Sequence, residues 1–228
     1  MLTDTMTRDE MLCEMLRDRA GLCRRLSHEF GRWRRWLLKH KGMERYETGE
    51  WTAPQTKNRW LWGARLHDPK METLGLMMGV LRWRQEGMEW LWLMPGNADW
   101  GGDQEGWMNQ RLGYKDGVFE FTPHCWQRVR ERASGMHRYY GAELVERMLL
   151  LADMKHFAVT DRPEAQNRTG QRLERPMQMV VDKGVFLGEW LSDRWLRLNT
   201  FIAHTQTHGE QQQVLGGLRQ KIRDWEGE

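Results

Sequence analysis

Apolar residues recur along this chain in two rhythms. Leu22, Leu26, Phe30, Trp33 and Leu37 are spaced by four, four, three and four, which traces one stripe of a helix. Ahead of them, Thr7 or Asp9 caps a helix carrying Met11, Leu12, Met15 and Leu16 on one side. Gly21 reads as a break or bend between these two helical stretches, and Gly42 as the stop of the second. Residues 46–57, with Gly49 and Pro54, read as a loop. The period then changes to two. Over 58–67, Trp60, Trp62, Ala64 and Leu66 alternate with Arg59, Gly63 and Arg65. Asp68-Pro69 marks a turn, and strands at 73–84 and 88–94 flank Gln85-Glu86-Gly87 as a hairpin. The pattern predicts a three-stranded antiparallel meander, although the Met-rich 74–81 segment also suits a helix.

Residues 95–107 are rich in Gly and Asp and read as a surface loop. A short strand at 117–121 leads into Thr122-Pro123, a helix cap followed by proline at the first helical position. That helix runs from about 124 to 133 and stops near Gly135. A second follows at 142–151, carrying Leu144, Val145 and Met148. Residues 161–175, with Pro163, Gly170 and four Arg, read as an exposed loop. Strands at 177–182, 185–191 and 195–203 come next, and Thr207 caps a last helix with Val214, Leu215, Leu218, Ile222 and Trp225 inward. The expected fold is α+β: an N-terminal helical pair, a central antiparallel meander and a C-terminal helix–helix–meander–helix. The expected division is 1–95, a loop at 96–116, and 117–228, with one shared core as the alternative.

Composition narrows the classes. The 228 residues include 14 Trp and 16 Met but only two Ile, Ile202 and Ile222, so the core is fed by Trp and Met, and their apolar area argues against disorder. Trp33, Trp60, Trp62, Trp90, Trp92 and Trp225 fit that role by their spacing, and Trp36, Trp100, Trp107 and Trp126 lack a clear pattern. If Trp100 and Trp107 are exposed, their acidic loop is a partner-binding candidate. Apolar runs of about five residues are far short of a membrane span. Met1 to Glu14 holds no basic-then-apolar signal block, and three widely spaced Cys make no disulfide framework, so a cytoplasmic setting is expected. The net charge is only +3, but it is unevenly distributed. Leu22 to Arg45 carries eight Lys/Arg against Glu29 and Glu44, and 85–120 carries seven acids against Arg111 and Lys115.

The sharpest local pattern is Thr122-Pro123-His124-Cys125-Trp126-Gln127-Arg128-Val129-Arg130-Glu131-Arg132. Steps of four on a helix put His124, Arg128 and Arg132 within an arc of roughly 80°. Two guanidiniums can clamp a phosphate, and an imidazole in a helix's first turn can move a proton in phosphodiester cleavage. The competing reading is a solvated face, with the arginines paired to Glu131, Glu143 or Glu146. Cys125, about 100° away, reads as an inward-facing small hydrophobe. The basic helix offers a second surface. Arg24, Arg25, Arg32 and Arg35 around Trp33 and Trp36 can track a phosphate backbone, or they can meet an acidic partner or the chain's own 85–120 segment. His204 and His208 have the spacing of a metal pair but no third ligand, so neither a metal nor a cofactor is expected.

The His-x3-Arg-x3-Arg segment resembles the signature of small, mostly uncharacterised domains related to the RelE- and BrnT-type ribonuclease toxins, found also in phages and mobile elements. His124, Arg128 and Arg132 match the motif, with Cys125 in its Ala place. The resemblance covers roughly residues 117–205. The first 116 residues have no counterpart in it, and the 162–175 loop is an insertion. It implies metal-independent endoribonuclease chemistry. His124 would be the acid or base and Arg128 and Arg132 the clamp, with Thr200, Asn199 and Lys183 supplying further polar groups. The alternative function is a non-catalytic phage or mobile-element protein that binds a host protein or a nucleotide.

Overall fold

The computed structural model describes residues 1–40, 45–66, 74–94, 116–150, 158–161, 172–181, 183–206 and 216. Helix α1 spans Arg8–Lys39. Its start is a capping box: Thr7 accepts the Glu10 N–H, and the Glu10 carboxylate accepts the Thr7 N–H at 2.7 Å. The expected helical pair is thus one continuous helix. A single glycine in a helix costs only about 1 kcal/mol against alanine. The buried stripe of Met11, Leu12, Met15, Leu22, Leu26, Trp33 and Leu37 runs across Gly21 and outweighs that cost. Gly21 instead makes room: a Cβ there would sit 3.0 Å from the Trp51 ring.

The rest is dominated by one nine-stranded mixed sheet in the order β1-β2-β3-β4-β5-β9-β8-β7-β6. Its strands are β1 Arg45–Thr52, β2 Arg59–Leu66, β3 Leu74–Arg84, β4 Gly87–Met94, β5 Gly117–Phe121, β6 Ala158–Asp161, β7 Pro176–Val181, β8 Gly184–Ser192 and β9 Trp195–Ala203. All neighbours are antiparallel except β5 and β9, which run parallel. This overturns the expected layout of a helical pair, a small meander and a helix–helix–meander–helix half. The join is β5. It pairs with β4 on one side and β9 on the other, and every residue in it is buried. The first meander also gains β1 from the segment read as a loop. Its polar, half-buried sequence is that of an edge strand, in register with β2 through Gly49↔Trp62 and Trp51↔Trp60.

Strand alternation sends side chains to two cores. On one face, α1 covers Trp60, Trp62, Ala64, Val80, Leu91, Leu93, Val118 and Trp195. On the other, Trp90, Trp92, Phe119, Phe121, Phe186, Leu198 and Phe201 pack under two short helices. These are α2, Pro123–Arg132, and α3, Gly141–Val145, which runs on into a π-helical turn at Glu146–Leu150. Both cores draw residues from both sides of the 96–116 segment. Trp126 joins the second core, 2% exposed and stacked on Phe121 at 5.4 Å.

At β8–β9 the register shifts between Leu187 and Gly188, leaving Asn199 as the extra residue of a bulge. The extra residue lets Leu198 and Phe201 enter the same core. Gly188 allows the close approach there, since a Cβ would fall 1.9 Å from the Arg197 carbonyl oxygen. The turn at 68–69, the acidic loop with Trp100 and Trp107, most of the 162–175 loop, His208 and the last helix with Trp225 lie outside the described residues. No described helix is long and apolar enough to cross a membrane.

Candidate functional site

Helix α2 starts where β5 ends because Thr122 caps it, its hydroxyl accepting the Cys125 N–H, and Pro123 occupies its first turn. Cys125, Trp126 and Val129 face the sheet, which leaves His124, Arg128 and Arg132 on a half-exposed flank. Burial pushes the Cys125 thiol well up, which fits an unreactive hydrophobe. The flank does not gather its three members at one point. Arg128 Nε lies 3.4 Å from His124 Nε2, long for a hydrogen bond, and its Nη1 pairs with Glu131 at 2.5 Å. Glu131 also accepts from Gln127, and its bond to Arg128 holds its carboxyl below the usual range. Arg132 donates to the Phe201 carbonyl at 2.7 Å, tying the last turn of α2 to β9. Two turns of helix separate it from His124, about 12 Å along the axis.

The polar residues expected to complete that site lie elsewhere. Thr200 pairs with Leu187, which packs with Val180 and Val185 in a separate cluster. Cross-strand partners share a face, so Thr200 lies on the sheet face opposite α2. Asn199 is the bulge residue. Lys183, in the β7–β8 turn, lines a cavity of about 330 Å³ with Ser134, Arg138, Tyr139 and Arg147. His204 follows β9, its Nε2 3.0 Å from the Val181 carbonyl oxygen. Among the described residues no group of three His, Cys, Asp or Glu is arranged to hold a metal ion.

The second basic surface is the outer face of α1. Arg24, His28, Arg32, Arg35 and Lys39 are all exposed. At 100° per residue they fall within roughly 80° of arc, opposite the buried stripe, and they extend about 22 Å along the axis. Arg25 and Arg34 flank this row and are also exposed. Among the described residues the carboxylate that meets this row is Glu29, 2.6 Å from Arg32. Trp33 is buried beneath the row, so it is not available for stacking. Trp36 is half-buried, stacked on His40 at 4.4 Å and covered by the Arg45 guanidinium at 4.9 Å.

Two buried acidic centres lie on the α1 side of the sheet, and the first ties α1 to β2. Asp18, 7% exposed, accepts from Thr56 Oγ1 at 2.7 Å, Asn58 Nδ2 at 2.8 Å and Trp60 Nε1 at 3.2 Å. Under the helix's first turns, Glu89 contacts Arg82 and lies 3.2 Å from Arg84. Nearby, Glu120 accepts from Trp195 at 2.5 Å and Arg197 at 2.9 Å. Burial pushes the Glu89 carboxyl up to about 8. The Glu120 carboxylate adds to that, and Arg84 and Arg197 oppose it. The signal for these acids was in the alternation: Glu89 shares parity with Leu91 and Leu93, and Glu120 with Val118. Arg138 and Arg147 were missed because only folding brings them to Lys183. The chain matches no protein-family model, no curated protein and no solved structure.

Proposed function

We propose that the protein binds nucleic acid without cleaving it, through the outer face of α1. The observation that carries this reading is the row of five basic side chains at Arg24, His28, Arg32, Arg35 and Lys39, which among the described residues has a single carboxylate partner. Residues four apart on a helix are about 6 Å apart along its axis. The row therefore offers a ladder of four Arg and Lys cations, with His28 between them, to a polyanion, and phosphate contacts of this kind bind without regard to sequence. The stripe buried on the opposite side holds the ladder rigid.

Cleavage by His124 draws less support. Glu131 matches the charge of Arg128, and a backbone carbonyl engages Arg132. RNA incubated with the protein in EDTA is expected to stay intact, and cleavage that disappears in His124→Ala would restore the enzymatic reading. Binding itself is tested by fluorescence anisotropy with a random-sequence single-stranded RNA and a DNA duplex. Affinity should fall linearly on a log–log plot against salt. No binding at low salt, or a protein partner recovered in place of nucleic acid, would count against the reading.

A further inference from the structure

The cavity beyond the end of α2 carries a separate inference, independent of the α1 row. Its walls bring together Arg138, Arg147 and Lys183, with the Ser134 hydroxyl at the rim and the buried Met136 beside them. The three cations come from the connection after α2, the π-helical turn and the β7–β8 turn, so the fold assembles them. Among the described residues none of the three is ion-paired to a carboxylate. The Tyr139 ring partly compensates, lying 4.9 Å from the Arg138 guanidinium and 5.4 Å from that of Arg147. A quadrupole cannot neutralise three full charges, and among the described residues the carboxylate that acts on the cluster is Glu146, through its attraction to Arg147. The carbonyl end of α2 contributes only about half a negative charge.

We propose that this cavity is a binding site for a phosphoryl group. A phosphate monoester brings about two negative charges at neutral pH and three acceptor oxygens. Two guanidiniums can each engage two oxygens, and the ammonium and hydroxyl can meet what remains. At about 330 Å³ the cavity is at the small end of ligand-sized sites, which suits a phosphoryl group with little attached. Tyr139 already has two guanidiniums against it, at 4.9 and 5.4 Å, which compete with a base for its ring. Recognition is therefore of the phosphate.

The test uses the full chain at constant ionic strength. Inorganic phosphate, a 5′-phosphorylated dinucleotide and the same dinucleotide with a 5′-hydroxyl are titrated by calorimetry. The first two should saturate, and the 5′-hydroxyl form should bind at least about tenfold more weakly than the phosphorylated one. Arg147→Gln and Lys183→Gln should each weaken phosphate binding about tenfold. Arg24→Glu/Arg35→Glu should leave it unchanged, which separates this site from the α1 row. Tighter binding of the phosphorylated dinucleotide than of inorganic phosphate would assign the ligand as a monoester, and the reverse order as free phosphate. Non-saturating binding, equal binding of both dinucleotides, or wild-type affinity in Arg147→Gln and Lys183→Gln would overturn the proposal.

Discussion

Replacing Arg82 with methionine gives the sharpest test of the buried charge network. Glu89 is 1% exposed, and Arg82, whose side chain is 10% exposed, is in direct contact with it. Removing that guanidinium leaves Glu89 facing the Glu120 carboxylate, with Arg84 and Arg197 as the remaining nearby cations. A buried charge stripped of its partner typically costs about 3–5 kcal/mol. The sign follows from proton binding. Glu89's folded pKa lies above its unfolded value, so the folded state binds the extra proton. That stabilisation is complete below about 4.5 and is lost as pH rises through about 8. Loss of Arg82 raises that pKa further, so Arg82→Met should be mildly and evenly destabilised from pH 5 to 7 and progressively more so above about 8. Urea denaturation from pH 5 to 9 measures this, with Arg82→Met/Glu89→Gln recovering much of the loss at high pH. A loss independent of pH, or a double variant no more stable than the single at pH 9, would refute the reasoning.

Three further outcomes follow. Asp18→Ala strands the buried Trp60 N–H and the Asn58 amide and loosens α1 from β2, so the urea midpoint should fall by an amount equivalent to about 3 kcal/mol. Gly188→Ala places a methyl against the Arg197 carbonyl, and its melting temperature should drop sharply as the β8–β9 bulge is forced apart. His124→Ala should change nucleic-acid affinity less than about twofold by anisotropy, because the ring lies on the α2 flank and not in the α1 row.

Local rhythm carried much of the secondary structure. The β2 and β4 alternations placed Trp60, Trp62, Trp90 and Trp92 in the core, and Thr122-Pro123 placed the start of α2. What local rhythm cannot carry is pairing across distance. The parallel register of Val118 with Trp195 spans 77 residues and turns two meanders into one sheet. An edge strand such as β1, with polar residues on both faces, has no hydrophobic alternation to announce it. The motif His124, Arg128 and Arg132 was legible as spacing, but its chemistry depends on neighbours the spacing does not specify. Glu131 and the Phe201 carbonyl take up the two arginines. The resemblance assigns Lys183 to the His124 site as a polar group, whereas its neighbours in the fold, Arg138 and Arg147, are fixed by the turns that deliver them.

The most direct measurement is the salt dependence of nucleic-acid binding by wild type and by Arg24→Glu/Arg35→Glu, read by anisotropy from about 50 to 200 mM salt. Each lost phosphate contact should flatten the log–log slope by about 0.7 on a single strand and about 0.9 on a duplex. Losing two cations should therefore shift it by about 1.4 or 1.8, with a marked loss of affinity at low salt. Wild-type slope and affinity in the variant would contradict the assignment of the α1 row.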